Sequence, residues 1–274
     1  MIDLHSHTNE SDGTFSPAEL IAEAQRVGVR TLAITDHDTF AGYDQAVQFS
    51  REAGVDLICG IELSTKWNGT SVHLLGYFFD PTEMSAFRKW ILELQVSRRD
   101  RNRRLIEKLR EVGVDITMEE VDERGRGMTG RPHFARVLMD KGYVSTIQQA
   151  FDVYLADSGK AYVDRMEPQF AEAVRMIREA GGITSMAHPV RWNGDFAAAL
   201  PALCKTGLHA IEAYHSDHSP EQREQFLFLA RQYGLLVTGG SDFHGTVKPG
   251  IQLGTGREGN VGVPADVLRA FAQR

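Results

Sequence analysis

Short apolar runs of strand character alternate with helical patterns at both ends of this sequence. The runs are Ile2 to Leu4, Thr31 to Thr35, Val55 to Ser64, Ser71 to Phe79, Ile183 to Ala187, His209 to Tyr214 and Leu235 to Gly239. Such alternation predicts an α/β fold with a largely parallel sheet, because parallel neighbours need a crossover, usually helical, between them. The intervening helices carry start signals. In Phe15-Ser16-Pro17-Ala18-Glu19-Leu20, Ser16 is the N-cap, Pro17 takes the first helical position, Glu19 completes a capping box and Phe15 can staple to Leu20. Ser219-Pro220-Glu221-Gln222 repeats the grammar, and Gly28 marks the end of the first helix.

Between Pro81 and Met166 the alternation stops. A charged helical segment runs to Val112, followed by helical patterns at Pro132 to Lys141 and Thr146 to Leu155. The expected organisation is an α/β body in two parts, 1–80 and 167–274, interrupted by a helical insertion at 81–166. The insertion's first helix carries Arg88, Lys89, Arg98, Arg99, Arg101, Arg103, Arg104, Lys108 and Arg110 against Glu93, Asp100 and Glu107. Singly, these cations read as a solvated helix face; together they predict an anion-attracting flank.

Composition narrows the class. Of 274 residues, 42% are hydrophobic and 24% charged, the balance of a globular enzyme. Met1-Ile2-Asp3-Leu4-His5 brings charge where a secretory segment needs an apolar run, and no stretch approaches the roughly 18 apolar residues of a membrane span. Cys59 and Cys204 lie far apart without CxxC spacing, which points to neither a disulfide framework nor a thiolate metal site. A reducing cytoplasm is the expected compartment. The net charge of −7 argues against coating of nucleic acid by the whole surface, so any polyanion site is local.

The candidate chemistry lies at the strand ends. His5 and His7 follow the first run, His37 the second, Glu62 ends the third, His73 lies on the fourth, His188 follows the fifth, and Asp242 and His244 follow the last; Asp12 sits in the loop Ser11-Asp12-Gly13. In a β/α barrel the loops after the strands converge on one face, so residues scattered in sequence meet there. Alternate residues of an extended segment project the same way, which lets His5 and His7 bind one ion, and Asp242-Phe243-His244 repeats that spacing. Any one histidine reads as structural; nine such residues at strand ends point to a metal centre.

His5-Ser6-His7, Thr35-Asp36-His37-Asp38, Gly60-Ile61-Glu62, Val72-His73, Ala187-His188-Pro189 and Ser241-Asp242-Phe243-His244 resemble the motif set of the polymerase-and-histidinol-phosphatase (PHP) family. The resemblance spans nearly the whole chain outside the insertion. It implies a distorted seven-stranded β/α barrel holding two or three divalent metals. One metal would take His5, His7, Glu62 and Asp242, a second Glu62, His73 and His188, and a third Asp12, His37 and His244, with Glu62 bridging. Three carboxylates against three divalent ions leave about three positive charges before any bound hydroxide, which suits a phosphate dianion. A nitrogen and oxygen shell without cysteine favours manganese, zinc or iron, and the family leans towards manganese. A metal-bound water ionising at roughly pH 7 would supply the nucleophile, so no separate general base is expected.

Within the family, the short barrel, the insertion and Thr129-Gly130-Arg131-Pro132-His133-Phe134-Ala135 resemble a bacterial subgroup of 3′,5′-nucleoside bisphosphate phosphatases and 5′-3′ exoribonucleases acting on short RNA. Pro132 can open a helix, which places Arg131 and His133 at a natural phosphate site. Lys160, after a glycine turn, and His215, just past the sixth run, are further substrate-side candidates, His215 being also the one catalytic candidate besides the metal-bound hydroxide; His209 and His218 read as structural. The resulting expectation is a nucleotide 3′-phosphatase with a small nucleotide substrate and no obligate protein partner. A 5′-3′ exoribonuclease, a histidinol phosphatase and a non-catalytic metal-binding module are the alternatives, the last disfavoured because none of the nine ligand positions is lost.

Overall fold

The apolar runs form seven strands, β1 (Ile2–Asp3), β2 (Thr31–Ile34), β3 (Asp56–Trp67), β4 (Thr70–Phe78), β5 (Ile183–Met186), β6 (Ala210–His215) and β7 (Leu236–Gly240). The computed structural model describes residues 1–125 and 128–271. The strands lie side by side in chain order in one sheet. Backbone N–H groups of Leu4 and Asp242 donate to Gly239 (3.0 Å) and His5 (2.8 Å), drawing the last strand against the first. The result is the nearly closed seven-stranded α/β barrel that the motifs implied.

One strand departs from the largely parallel sheet expected. β4 is antiparallel to both β3 and β5. The cause is local: Asn68 and Gly69 between β3 and β4 both take positive φ, 49° and 81°, as a two-residue hairpin turn whose twist matches the strands requires. The β3–β4 hairpin therefore projects beyond the barrel, and His73, near the start of β4 and paired with Ser64, reaches the mouth from the reversed direction.

Helices α1 (Pro17–Val27) and α2 (Ala41–Ala53) cover the first crossovers. Ser16 caps α1, accepting from the Glu19 N–H at 3.3 Å while its own N–H donates to the Glu19 carboxylate at 2.8 Å, and Gly28 ends it at φ 82°. The chain then leaves the barrel through α3 (Ser85–Glu111), α4 (Met118–Asp122), α5 (Arg131–Asp140) and α6 (Ile147–Ala150), the last widening into a π-helical turn to Leu155. It returns through α7 (Phe170–Glu179), α8 (Phe196–Lys205), α9 (Pro220–Tyr233) and α10 (Asp266–Phe271).

Two kinds of core result. Ile61, Leu63, Leu74, Phe78, Phe170 and Ile177 pack between the sheet and its helices, whereas Leu105, Leu109, Ile116, Phe134 and Leu138 form a separate cluster within the insertion. α3 belongs to both, since Phe87 and Ile91 pack into the barrel core and Leu105 into the other. Cys59 and Cys204 are free thiols. Among the described residues, no helix is long and apolar enough to cross a membrane.

The seam between β7 and β1 is tight enough to test. A Cβ on Gly240 would sit 2.2 Å from the His5 nitrogen and 2.6 Å from the Asp3 carboxylate, so backbone would have to move. Gly240→Ala should destabilise by about 1–3 kcal/mol or more, whereas Gly262→Ala, which meets nothing within 4 Å, should stay within about 0.5 kcal/mol of the parent. Urea denaturation of both variants is the measurement.

Candidate metal centre

Two extended segments build one wall of the barrel mouth. The residues after β1 and after β7 run parallel, with Ser6 bridged to Phe243 and the His7 N–H donating to Phe243 at 2.9 Å. Their alternate residues, His5 with His7 and Asp242 with His244, therefore face the same space. On the other wall His37 bridges Glu62, and the Ala187 N–H donates to the His73 carbonyl at 3.2 Å, setting His188 beside His73.

These rings converge on Glu62, which is 1% exposed. One carboxylate oxygen lies 2.7 Å from His73 Nδ1 and 2.8 Å from His188 Nε2; the other lies 3.2, 3.1 and 3.3 Å from His5 Nε2, His7 Nε2 and His37 Nδ1. Asp242 Oδ1 stands 3.5 and 3.4 Å from the same two nitrogens of His5 and His7. Asp12 faces His244 Nε2 at 3.3 Å, His7 Nδ1 at 3.6 Å and His37 Nε2 at 3.7 Å.

Hydrogen bonding accounts for only part of this arrangement, chiefly the contacts of Glu62 with His5, His73 and His188. His7 Nε2, His37 Nδ1 and Asp12 Oδ1 are buried without a hydrogen-bond partner, a costly state for polar atoms. Separations of 3.1–3.7 Å are those of neighbouring ligand atoms around an ion bonded at about 2.1 Å. Burial also pushes His37 and His188 down to about 3, leaving neutral rings with the lone pairs a metal requires. For His7, burial is outweighed by Asp242 and Glu62, which raise it to about 9, so positive charge is wanted there. The donor set fits divalent ions.

Three overlapping groups contain the expected residues: His5, His7, Glu62 and Asp242; His7, Asp12, His37 and His244; and His37, Glu62 and His73, with His188 on the same Glu62 oxygen as His73. The grouping differs from the carried-over one in that His7 and His37 each face two groups. A fourth group, His5, Glu212 and His215, was not anticipated. Glu212 is buried on β6, where it accepts from His5 Nδ1 at 2.8 Å and from the His188 backbone N–H at 2.6 Å, and so orients the His5 ring and fixes the main chain that carries His188. A lone glutamate within an apolar strand is the signal that could have found it.

A model of the PHP domain family matches residues 3–183. The chain belongs to the PHP family. It is similar to the 5′-3′ exoribonuclease of Haemophilus influenzae, 36% identical over 88% of this chain and 89% of that protein. It is also similar to the 3′,5′-nucleoside bisphosphate phosphatase of Chromobacterium violaceum, 32% identical over 92% and 90% of the two chains. Among solved structures, a candidate metal-dependent phosphoesterase from Bifidobacterium adolescentis superposes with a TM-score of 0.86 at 34% identity, covering 98% of this chain and 94% of that one. This PHP protein is a metal-dependent phosphoesterase, a hydrolase of phosphoric esters.

The candidate groups of this PHP protein open into a cleft of about 200 Å³ between the barrel mouth and the insertion, lined by Asp12, His37 and His73 on one side and by Arg98, Arg101, Arg131, Phe151, Tyr162 and Arg165 on the other. Asp38, at φ 54° beside His37, pins this wall to the barrel: its carboxylate accepts from Arg98 and, at 3.2 Å, from Arg165, while its other oxygen takes the Ser64 N–H at 2.9 Å. Burial opposes ionisation of Asp38, but the two guanidinium groups hold it below the usual carboxylate range. Arg165 carried no sequence signal.

Three expected substrate contacts sit differently. Arg131 does line the cleft, tied to the Leu155 carbonyl at 3.3 Å and Asp157 at 3.4 Å. His133 is 0% exposed and does not line the cleft; its Nδ1 accepts the Gly130 N–H at 3.0 Å, so the ring closes the start of α5 rather than facing a phosphate. Lys160 is exposed and does not line the cleft, although Asp157 and Tyr162 on either side of it do. His215 is at the mouth but on the barrel side, 3.3 Å from Asp242 Oδ2, an oxygen that also accepts from Arg191 at 3.0 Å and Lys248 at 2.7 Å.

Asp242→Asn should lower bound metal by at least one equivalent in elemental analysis and remove most phosphoesterase activity, since it withdraws a charge shared with His5 and His7. Thermal unfolding of the metal-free forms should change little, because the apolar cores lie beneath the mouth. Full metal occupancy with normal turnover would remove Asp242 from the centre.

Proposed function

We propose that this PHP phosphoesterase removes the 3′-phosphate of nucleoside 3′,5′-bisphosphates, converting adenosine 3′,5′-bisphosphate to AMP and phosphate. The observation that carries the reading is Arg101. It lines the cleft at 5% exposure, and its Nε has no hydrogen-bond partner. The other cleft cations have carboxylates: Arg98 and Arg165 have Asp38, Lys66 has Asp164, and Arg131 has Asp157. Among the described residues Arg101 makes no ion pair, and the attraction of Glu167, which also lines the cleft, is outweighed. Burial and the nearby Arg98, Arg165 and Arg131 push it down to about 9. A guanidinium keeps its proton in proteins, so that shift expresses a site short of an anion.

In this reading His5, His7, Asp12, His37, Glu62, His73, His188, Asp242 and His244 hold two or three divalent ions, manganese before zinc or iron. Bound ions supply Lewis-acid charge at the phosphoryl oxygens and an acidified water. The chain's own part is positioning. Arg101 and Arg131, on the insertion at 81–166, take the 5′-phosphate, while Phe151 and Tyr162, which also line the cleft, offer flat faces to the base. Glu212 keeps the His5 ring and the main chain at His188 in place. Energy from binding the remote 5′-phosphate then orients the 3′-ester, so its removal should lower turnover as well as affinity. The choice of the 3′-ester draws on the Chromobacterium relative's name.

A second reading, stepwise 5′-3′ removal of nucleotides from short RNA, uses the same site. It is favoured by a further hollow beside α3, where Arg98, Arg99 and Arg103 outnumber Glu119 and Asp122.

The deciding experiment is phosphate and product analysis over mono-, bis- and oligonucleotides with manganese present. AMP should be the product from the bisphosphate, with 3′-AMP a poorer substrate; 3′-AMP as product would reverse the orientation. Arg101→Ala should raise KM for the bisphosphate roughly ten- to a hundredfold, the loss of about 1.5–3 kcal/mol for a charge-assisted contact. An aryl phosphate, which lacks the second anion, should be affected far less. Arg131→Ala should act in the same direction and more weakly, because Asp157 already shares its charge.

A further inference from the structure

The ligand cluster opens on two sides. A second cleft, also of about 200 Å³, shares Ser71 and His73 with the first and continues past His188 to Arg191 and Trp192. Its chemistry is opposite. The floor is apolar, made by the buried Val72, Met186 and Ala187. Trp192 forms a wall; its ring packs against Phe196, with centroids 5.7 Å apart and planes at 70°, so the indole is held in place. The one permanently charged side chain of this cleft, Arg191, is already engaged by Asp217 at 2.5 Å and Asp242 at 3.0 Å. An anion has little to gain here, whereas a flat apolar group has a fixed aromatic partner.

We propose that the Trp192 cleft is a nucleobase subsite, occupied when the phosphorus at the ligand cluster carries a second nucleoside. The inference rests on the reading that a nucleoside 5′-phosphate fills the arginine-walled cleft. With that cleft full, a substituent on the scissile phosphorus has the Trp192 side as the adjoining opening, because His73 and Ser71 border both. In the reaction, the oxygen of one water bonds to phosphorus and the bond from phosphorus to the 3′-oxygen breaks. The 3′-oxygen takes a proton, and the phosphate remains on the 5′-oxygen of the downstream nucleoside. The products are a 5′-nucleotide with a free 3′-hydroxyl and a chain that again begins with a 5′-phosphate, the group that Arg101 wants. Trp192 would thus set preference for a phosphodiester over a terminal phosphate.

The test compares adenosine 3′,5′-bisphosphate with 5′-phosphorylated diadenylate, using manganese-loaded parent, Trp192→Ala, Trp192→Leu and Trp192→Phe. The readout is the ratio of kcat/KM for the dinucleotide to that for the bisphosphate. Base stacking on an aromatic side chain is strong enough that Ala and Leu should lower this ratio about tenfold or more. Phe, which keeps a flat face, should stay within about threefold of the parent. Leu and Phe retain bulk against Phe196, so the comparison survives if Ala fails to fold.

Fluorescence gives an independent reading. Trp67 and Trp90 are the other tryptophans, and with both replaced by Phe the dinucleotide should quench Trp192 more than the bisphosphate does. An unchanged ratio in every variant overturns the subsite. Parent enzyme that cleaves the bisphosphate but not the dinucleotide overturns the subsite and leaves the phosphatase reading standing. Cleavage of the dinucleotide alone, with the expected dependence on Trp192, supports the subsite and overturns the phosphatase reading. Cleavage of neither overturns both.

Discussion

Burying one carboxylate amid imidazoles governs this molecule. Glu62 has five ring nitrogens within 3.3 Å of its two oxygens, more than the roughly four lone-pair positions a carboxylate offers. An uncompensated charge at that depth would cost several kcal/mol. The surrounding architecture answers this demand. The reversed β4 supplies His73 and the strand-end segments supply the other rings. Outer carboxylates steady the ligands, as Glu212 does for His5 and His188, in the manner common to metal sites. Asp36 does the same for a loop: buried, it accepts from the Thr8 N–H at 2.7 Å and from Thr8 and Ser11 hydroxyls at 2.6 Å, fixing the segment that presents Asp12.

The insertion is joined to this centre by a second buried charge. Asp38 follows His37 directly and takes both Arg98 from α3 and Arg165 from the returning chain. Arg136 of α5 adds a contact to the Asp12 carbonyl at 3.3 Å. The main chain at His37-Asp38 and at Asp12 thus holds the opposite wall of the cleft. The arginine wall and the histidine and carboxylate cluster are registered to each other through backbone and ion pairs rather than across open solvent, which fixes the distance between them.

Much of this was legible because it is written as local repetition. His-x-His and Asp-x-His expose same-side pairs by spacing alone, and the capping boxes at Ser16 and Ser219 appear as read. The reversed strand is legible only in the Asn68-Gly69 turn, because apolar runs carry no direction. What stayed hidden depends on tertiary burial. His133 has the right neighbours for phosphate contact and is enclosed instead. Arg101 was one of nine cations on a charged helix, and only its burial without a carboxylate singles it out. Glu212 and Arg165 have no motif, so nothing in their spacing announces them.

The pairing of His5-Ser6-His7 with Asp242-Phe243-His244 across the barrel seam has a consequence for synthesis. Asp242 and His244 each complete one of the donor groups, and they leave the ribosome more than two hundred residues after His5 and His7. A nascent chain therefore carries these two groups one member short for most of its translation, while His37, Glu62 and His73 are already present together. The full centre cannot form from the early strands alone; the two groups that span the seam wait for the seventh strand, and for long-range pairing of the slow kind. Metal loading then acts as a seal on the finished barrel, stabilising the closed form by mass action and leaving incomplete chains without that stabilisation.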